Sequence, residues 1–112
     1  MEGKQNFDKN IASALSKIIE GSGRGVKLAA AFVKLESQKR TPVDTGNLKA
    51  SHYVQIEETR NNVVAEIGLT AEYALFVHED LEAFHPTGQA KFLEMAIKEN
   101  TDKINKLIAK FI

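Results

Sequence analysis

Three stretches of the chain place apolar residues at the three- and four-residue spacing of an amphipathic helix. The first stripe consists of Phe7, Ile11, Ala14, Leu15 and Ile18. The second consists of Val26, Ala29, Ala30, Val33 and Ser37. The third consists of Phe92, Leu93, Ala96, Ile97, Ile104, Leu107, Ile108 and Phe111. These stripes predict helices over residues about 6–20, 26–39 and 89–110, the last with a kink near Asn100, where Asn and Thr lower helix propensity.

Between the second and third stripes the sequence is typical of β-strands. Residues 52–58 and 63–69 are rich in β-branched and aromatic side chains and are separated by residues 59–62, which predicts an antiparallel hairpin. Alternation along the second strand predicts a core face and a partly solvated face. The core face comprises Val63, Ala65, Ile67 and Leu69, and the other face comprises Val64, Glu66 and Gly68.

Two further segments join these elements. Residues 73–79 favour a short helix or turn, with Tyr73, Phe76 and Val77 on one side. The stretch Gly21–Gly25 holds three glycines in five residues, which predicts a hinge or helix break. A phosphate cradle is the alternative for this stretch, but the predicted elements put no strand before it and the sequence has no Lys-Ser/Thr after it.

The segment from Thr41 to Ser51 separates the helical part of the chain from the strands. Pro42 disfavours helical geometry at Thr41, so the preceding helix should end near Arg40. Asp44 and Thr45 can accept hydrogen bonds from nearby backbone amides, and Gly46 supplies a position without a Cβ atom. We therefore interpret the segment as turn chemistry followed by entry into a strand.

The predicted elements define an α+β fold, in which N-terminal helices and a long C-terminal helix pack on a small antiparallel β-sheet. A chain of 112 residues is expected to form a single domain over 1–112. Within it, residues 1–24 would hold the N-terminal helix and the Gly-rich joint, and residues 25–112 would hold the core.

Composition narrows the classes of function. Lys and Arg together number 15, as do Asp and Glu, so no global field attracts nucleic acid or an anionic membrane. The chain has no cysteine, which excludes disulfides, thiolate zinc sites and thiol nucleophiles. The N-terminus lacks the layout of a signal peptide, and the longest apolar run, Leu28–Val33, is too short to span a bilayer. We expect a soluble protein that is not exported.

The densest polar cluster is His78-Glu79-Asp80 with Glu82 and His85, which contains atom types that bind divalent metals. Three consecutive residues cannot converge on one helix face, and the spacing from His78 to His85 matches no zinc motif, so we interpret the cluster as a solvated loop. We assign no catalytic, cofactor-binding or metal-binding residue. The aromatic residues Phe76, Phe84, Phe92 and Phe111 are expected in the core or at a partner contact.

Four stretches occur in an order that resembles the small neck proteins of long-tailed bacteriophages. They are Lys39-Arg40, Thr41–Ser51, Glu72–Glu79 and Gly88–Leu93. This family comprises head–tail joining or tail-completion proteins, also described as minor structural proteins, and the resemblance covers about residues 26–97. One departure is Asp80-Leu81-Glu82, where many members carry an aromatic residue and Gly after the acidic residue.

The resemblance implies a set of structural motif residues, and loops and helix ends, which can order on a partner, give a set of candidate partner contacts. The motif residues are Pro42, Val43, Asp44, Thr45, Gly46, Leu48, Tyr73, Ala74, Glu79, Gly88, Phe92 and Leu93. The candidate partner contacts, which combine the joint, the loop after Glu79 and the end of the last helix, are Gly23, Arg24, Leu81, Phe84, His85 and Phe111.

The function implied is structural: a ring subunit of the virion neck, through which DNA passes, assembled in the host cytoplasm. Its partners would be other neck and tail proteins, such as a connector ring, tail terminator or tube, and further copies of itself. It would need no cofactor, no sequence-specific nucleic acid and no membrane. Rings of six and of twelve are both compatible with the resemblance. The alternatives are a small metal-dependent hydrolase or nuclease using His78, Glu79 and His85, and a regulatory binding module.

Overall fold

The computed structural model describes residues 13–42, 46–80 and 90–110, and it confirms the α+β class. The strands are β1 (Leu15–Gly21), β2 (His52–Glu58) and β3 (Val63–Leu69). The helices are α1 (Gly25–Arg40), α2 (Asn47–Ala50), α3 (Ala74–Glu79), α4 (Phe92–Lys98) and α5 (Thr101–Ala109). The strands form a three-stranded antiparallel sheet in the order β1-β3-β2, and α1 packs across it together with α4 and α5.

Strand β1 corrects the helix predicted over residues 6–20. Its residues pair antiparallel with β3, from Leu15 opposite Leu69 to Gly21 opposite Val63. The helix is therefore wrong for Leu15–Glu20, and the part before Ser13 lies outside the described residues. Leu15 and Ile19 are four residues apart, a separation that puts them on one face of a strand as well as of a helix. The ladder with β3, which comes from far along the chain, supplies the backbone hydrogen bonds that decide between them.

The β2–β3 hairpin is confirmed, with His52 opposite Leu69 and Glu58 opposite Val63. The predicted core face of β3 is buried throughout. The opposite face is less solvated than predicted, because β3 is the central strand and is flanked on both sides. Val64 and Gly68 on that face are buried, and Glu66 is half-buried.

Helix α1 confirms the second predicted stripe, since all five of its residues are fully buried. The helix ends at Arg40, as Pro42 predicts. Thr41 has extended geometry, its amide donates to the carbonyl of Gln38, and its hydroxyl donates to the carbonyl of Ser37 at 2.7 Å. Thr41 and Pro42 are themselves buried, so this segment is part of the core as well as a helix stop.

The long C-terminal helix is divided at the predicted kink. Helix α4 ends at Lys98 and α5 begins at Thr101, with the side-chain amide of Asn100 donating to the carbonyl of Ala96 at 2.9 Å. The break is tied to the end of α1, because Arg40 Nη2 lies 3.0 Å from Glu99 Oε1. Arg40 also donates to Glu36 at 2.7 Å, and this hydrogen bond lowers the pKa of the Glu36 carboxyl.

The Gly21–Gly25 stretch joins a strand to a helix, so it breaks the helical pattern as predicted but has β1 on its N-terminal side. Gly25 begins α1 directly against the last turn of α5. A Cβ atom there would overlap the carbonyl oxygen of Leu107 and lie 2.9 Å from that of Ile108. The positive end of the α1 dipole thus faces the negative end of α5, which is a favourable arrangement.

Candidate functional site

Histidine rings from two other parts of the chain pack against the ring of Phe92. The side chain is fully buried at the start of α4. Its ring centroid lies 4.8 Å from that of His78 in an edge-to-face arrangement, and 6.3 Å from that of His52. Phe92 therefore joins the segment after the Thr41–Ser51 turn to the end of α3, and its role here is packing.

His78 is buried in α3, so the interpretation of its cluster as a solvated loop is wrong for this residue, whereas Glu79 is exposed. Its Nδ1 atom lies 2.7 Å from Glu79 Oε2, and the amide of Glu94 donates to its Nε2 atom at 3.3 Å. The ring consequently accepts one of the free amides in the first turn of α4, the role of a helix cap supplied from another element. No local pattern along the chain indicates this contact, because it joins residues 16 apart.

Lys91 fixes the other side of the α3–α4 junction. Its backbone lies in the left-handed region at φ 58°, which is costly for a residue with a Cβ atom. Its amide donates to the carbonyl of His78 at 2.7 Å, and its ammonium donates to Glu79 at 2.5 Å. The hydrogen bond from Lys91 lowers the pKa of the Glu79 carboxyl. These contacts hold the backbone of Lys91 in its strained conformation.

A second buried polar group lies at the start of β2. The Nδ1–H of His52 donates to the carbonyl of Lys49 at 2.9 Å, and its Nε2 accepts from the Ser37 hydroxyl at 2.7 Å. Burial lowers the pKa of His52, because it disfavours the charged form of the ring. Because both ring nitrogens are engaged within the protein, we interpret this group as a structural clamp between α1 and the sheet.

The hydrolase alternative finds little support around His78. Among residues 13–42, 46–80 and 90–110, no group of three or more His, Cys, Asp or Glu could hold a metal ion. Both ring nitrogens of His78 make hydrogen bonds within the protein. Glu82 and His85, which that alternative also needs, lie outside the described residues.

The family-motif residues fall mostly in the core. Pro42, Leu48, Ala74, Phe92 and Leu93 are buried. Gly46 has the left-handed backbone, at φ 86°, that its position in the turn requires. Tyr73 and Glu79 are exposed. The remaining motif residues, Val43, Asp44, Thr45 and Gly88, lie outside the described residues.

Of the candidate partner contacts, two can be placed. Gly23 is half-buried and Arg24 is exposed, both in the turn between β1 and α1. This turn adjoins the C-terminal end of α5, whose Ile108 packs against the core. The joint and the last helix, named as separate surfaces from the sequence, are thus neighbours. Leu81, Phe84, His85 and Phe111 lie outside the described residues, and all six contacts stay predictions.

The first large exposed apolar surface lies on α3. Phe76 is 73% exposed and Leu75 is 49% exposed, whereas Val77 packs against the core. Tyr73 and Phe76 therefore face outward, whereas Val77, which was predicted on the same side of the helix, packs against the core. Three carboxylates surround these side chains. We call the set Glu72, Tyr73, Leu75, Phe76, Glu79 and Asp80 the α3 surface, which borders an open depression of about 650 Å³.

The second exposed apolar surface was missed in the sequence. It is a groove of about 400 Å³ between α1 and the edge strand β2, and we call it the α1–β2 groove. Its lining residues are Lys27, Ala31, Lys34, Leu35, Gln38, Val54 and Ile56. Leu35 is 53% exposed. In the sequence, Leu28, Ala31 and Leu35 recur at helical spacing on the side of α1 opposite the core stripe. This spacing was the signal that could have indicated an exposed apolar side of the helix.

With these surfaces defined, the comparisons place the chain among bacteriophage tail components. Residues 4–79 match the family described as "Bacteriophage HK97-gp10, putative tail-component". Because this match covers well over half of the 112 residues, the chain belongs to that family. The matched region includes β1, α1, the hairpin and α3. No curated protein and no solved structure matches the chain significantly. In the described part of the chain, no helix combines the length and apolar character needed to cross a membrane.

Proposed function

We propose that this chain is a structural subunit of the phage neck, which joins the head to the tail or completes the tail as a ring through which DNA passes. The observation that carries the proposal is membership of a tail-component family over residues 4–79. The neck position and the ring are supported in addition by the ordered motifs, which resemble those of head–tail joining proteins.

The chemistry of the described surface supports a role based on protein contacts. The polar groups buried near Phe92 are satisfied by one another, while large apolar side chains are exposed on α3 and along the α1–β2 groove. Exposed apolar patches with a polar rim are typical of protein interaction sites. A balanced net charge also suits a channel subunit, since strong phosphate binding would slow DNA transit.

Deletion of the gene from its phage or prophage tests this proposal. We expect DNA-filled heads and separately assembled tails in electron micrographs, together with loss of infectious particles. Addition of the purified protein to the lysate should restore infectivity, and an antibody against it should label the head–tail junction of complete particles. Normal particle yield from the deletion strain, or absence of the protein from purified virions, would contradict the neck role.

A matched variant separates this role from a catalytic one. Glu79→Gln removes a carboxylate that the hydrolase alternative requires and keeps a side chain of the same size, whose amide oxygen can still accept from Lys91 or from the His78 ring. We expect this variant to complement the deletion. Failure of a folded Glu79→Gln protein to complement, with metal-dependent hydrolysis by the wild-type protein alone, would favour the enzyme.

A further inference from the structure

We propose that successive copies of this chain bind head to tail, with the α3 surface of one copy seated in the α1–β2 groove of the next. The inference rests on the proposed neck role for the setting in which the assembly forms, and it assigns the two surfaces that build the ring.

Both surfaces expose large apolar side chains. Phe76 projects from α3 with 73% of its surface exposed, beside Leu75. The groove offers a recess of about 400 Å³ whose floor includes Val54 and Ile56 of the sheet and Leu35 of α1. An exposed aromatic side chain that enters an apolar recess is the usual anchor of a protein interface.

The charges of the two surfaces are opposite. The α3 surface carries Glu72, Glu79 and Asp80, and Lys91 binds one of these carboxylates. The groove carries Lys27 and Lys34, of which Lys27 lies 2.8 Å from Glu58. Lys34 and Glu72 are therefore the groups best placed to pair across the contact. Opposite potentials favour this orientation and disfavour contact between two identical surfaces.

The two surfaces share no residue, which determines the symmetry of the assembly. A contact between different surfaces of identical subunits leaves one of each surface unoccupied at every step. The row of subunits then closes into a ring when the rotation from one subunit to the next brings the last subunit back to the first. A symmetric dimer, by contrast, would need one surface to bind a copy of itself.

Cross-linking tests this contact directly, because the chain contains no cysteine. The double variant Ala31→Cys/Tyr73→Cys places one thiol on each surface and leaves Phe76 and Leu35 in place. We expect oxidation or a short bis-maleimide to give a ladder of covalent oligomers that ends at the ring number. Each single variant should give no ladder. The reaction is run on purified protein at high concentration and on virions complemented with the variant.

A charge exchange provides an independent test with matched variants. Lys34→Glu and Glu72→Lys should each abolish assembly and complementation, because like charges then meet at the contact. The two variants mixed in equal amounts should assemble again as an alternating ring. At one contact the introduced lysine would meet the introduced glutamate, and at the next the two unchanged side chains would pair. Arg60→Glu, an exposed change in the turn between β2 and β3 outside both surfaces, should assemble as wild type. Circular dichroism checks that every variant is folded.

The outcomes distinguish the interface from the neck role. Virions that contain the protein but give no ladder, with folded charge variants that assemble normally, would overturn the interface and leave the neck role standing. A ladder in purified protein that is absent from virions would support the interface and contradict the neck role. A cross-linked product of the single Tyr73→Cys variant that stops at the dimer would show a symmetric contact and overturn the head-to-tail arrangement.

Discussion

At the scale of single residues, His52 makes the stability of the fold depend on pH. Burial holds its pKa below the ordinary value of 6.5, so the unfolded chain takes up a proton at a pH where the folded chain stays neutral. Stability is therefore full above about pH 6.5 and falls as the pH drops through the folded value. The loss has a maximum slope of about 1.4 kcal/mol per pH unit, which corresponds to one proton.

The measurement is urea unfolding between about pH 7 and pH 5, a range above the ordinary pKa of carboxylates. His52→Gln should be less stable at pH 7, because the clamp to Ser37 is lost, but its stability should vary less across this range. Ser37→Ala keeps the titrating ring and should retain a pH dependence. An equal slope in wild type and His52→Gln would show that His52 is not the titrating group. The lowered pKa of Glu36 contributes only at lower pH, where carboxylates gain protons.

Gly25 and Gly46 are required for different physical reasons, and alanine substitutions distinguish the two reasons. Gly25→Ala gains about 1 kcal/mol of helix propensity but places a Cβ atom against the α5 carbonyls. The clash should prevail, and we expect a net loss of about 3 kcal/mol of unfolding free energy. Gly46→Ala meets no atom within 4 Å and should cost only the left-handed backbone, about 1 kcal/mol. Chemical denaturation measures both. Equal effects would mean that α5 does not abut the start of α1.

At the scale of elements, the α3–α4 junction depends on His78. His78→Ala removes the acceptor for the Glu94 amide and leaves a cavity beside Phe92, so we expect a loss of about 2–4 kcal/mol. His78→Phe restores the packing but not the acceptor, and its stability should lie between wild type and His78→Ala. Thermal unfolding ranks the three proteins. A midpoint for His78→Ala equal to that of wild type would contradict the capping role.

A comparison of the predicted helices and strands with the observed ones shows which elements can be predicted from the sequence. Helix α1 and the β2–β3 hairpin follow from patterns that have one reading, since Val26 to Ser37 keeps a helical period and Val63 to Leu69 alternates. The pattern of Leu15–Glu20 has two readings, and pairing with β3 decides between them. His78 belongs to the same class, because the contacts with Phe92 and Glu94 that bury it come from a different part of the chain. Local pattern carries no information about such partners.

At the scale of the whole molecule, the surfaces were harder to predict than the core. Phe76 belongs to an aromatic set that the sequence assigned to core or partner contact, and the fold exposes it while burying Phe92. Ala31 and Leu35 lie outside the core stripe of α1, but only the position of β2 beside them forms a groove. Exposure thus depends on how elements pack, and a surface made by two elements cannot be read from either one alone.

The extent of the folding unit is a further property of the whole molecule. The family match ends at residue 79, yet α4 and α5 supply Phe92, Leu93, Ala96 and Ile104 to the core on α1. A chain truncated after residue 90 would expose the buried faces of α1 and the sheet, so we expect it to lose cooperative unfolding, with a far-ultraviolet spectrum close to that of the urea-unfolded protein. A synthetic peptide of residues 91–112 should restore the transition when added in excess. A truncated chain that unfolds cooperatively at the wild-type midpoint would place the folding unit within the matched region and contradict a single domain over 1–112.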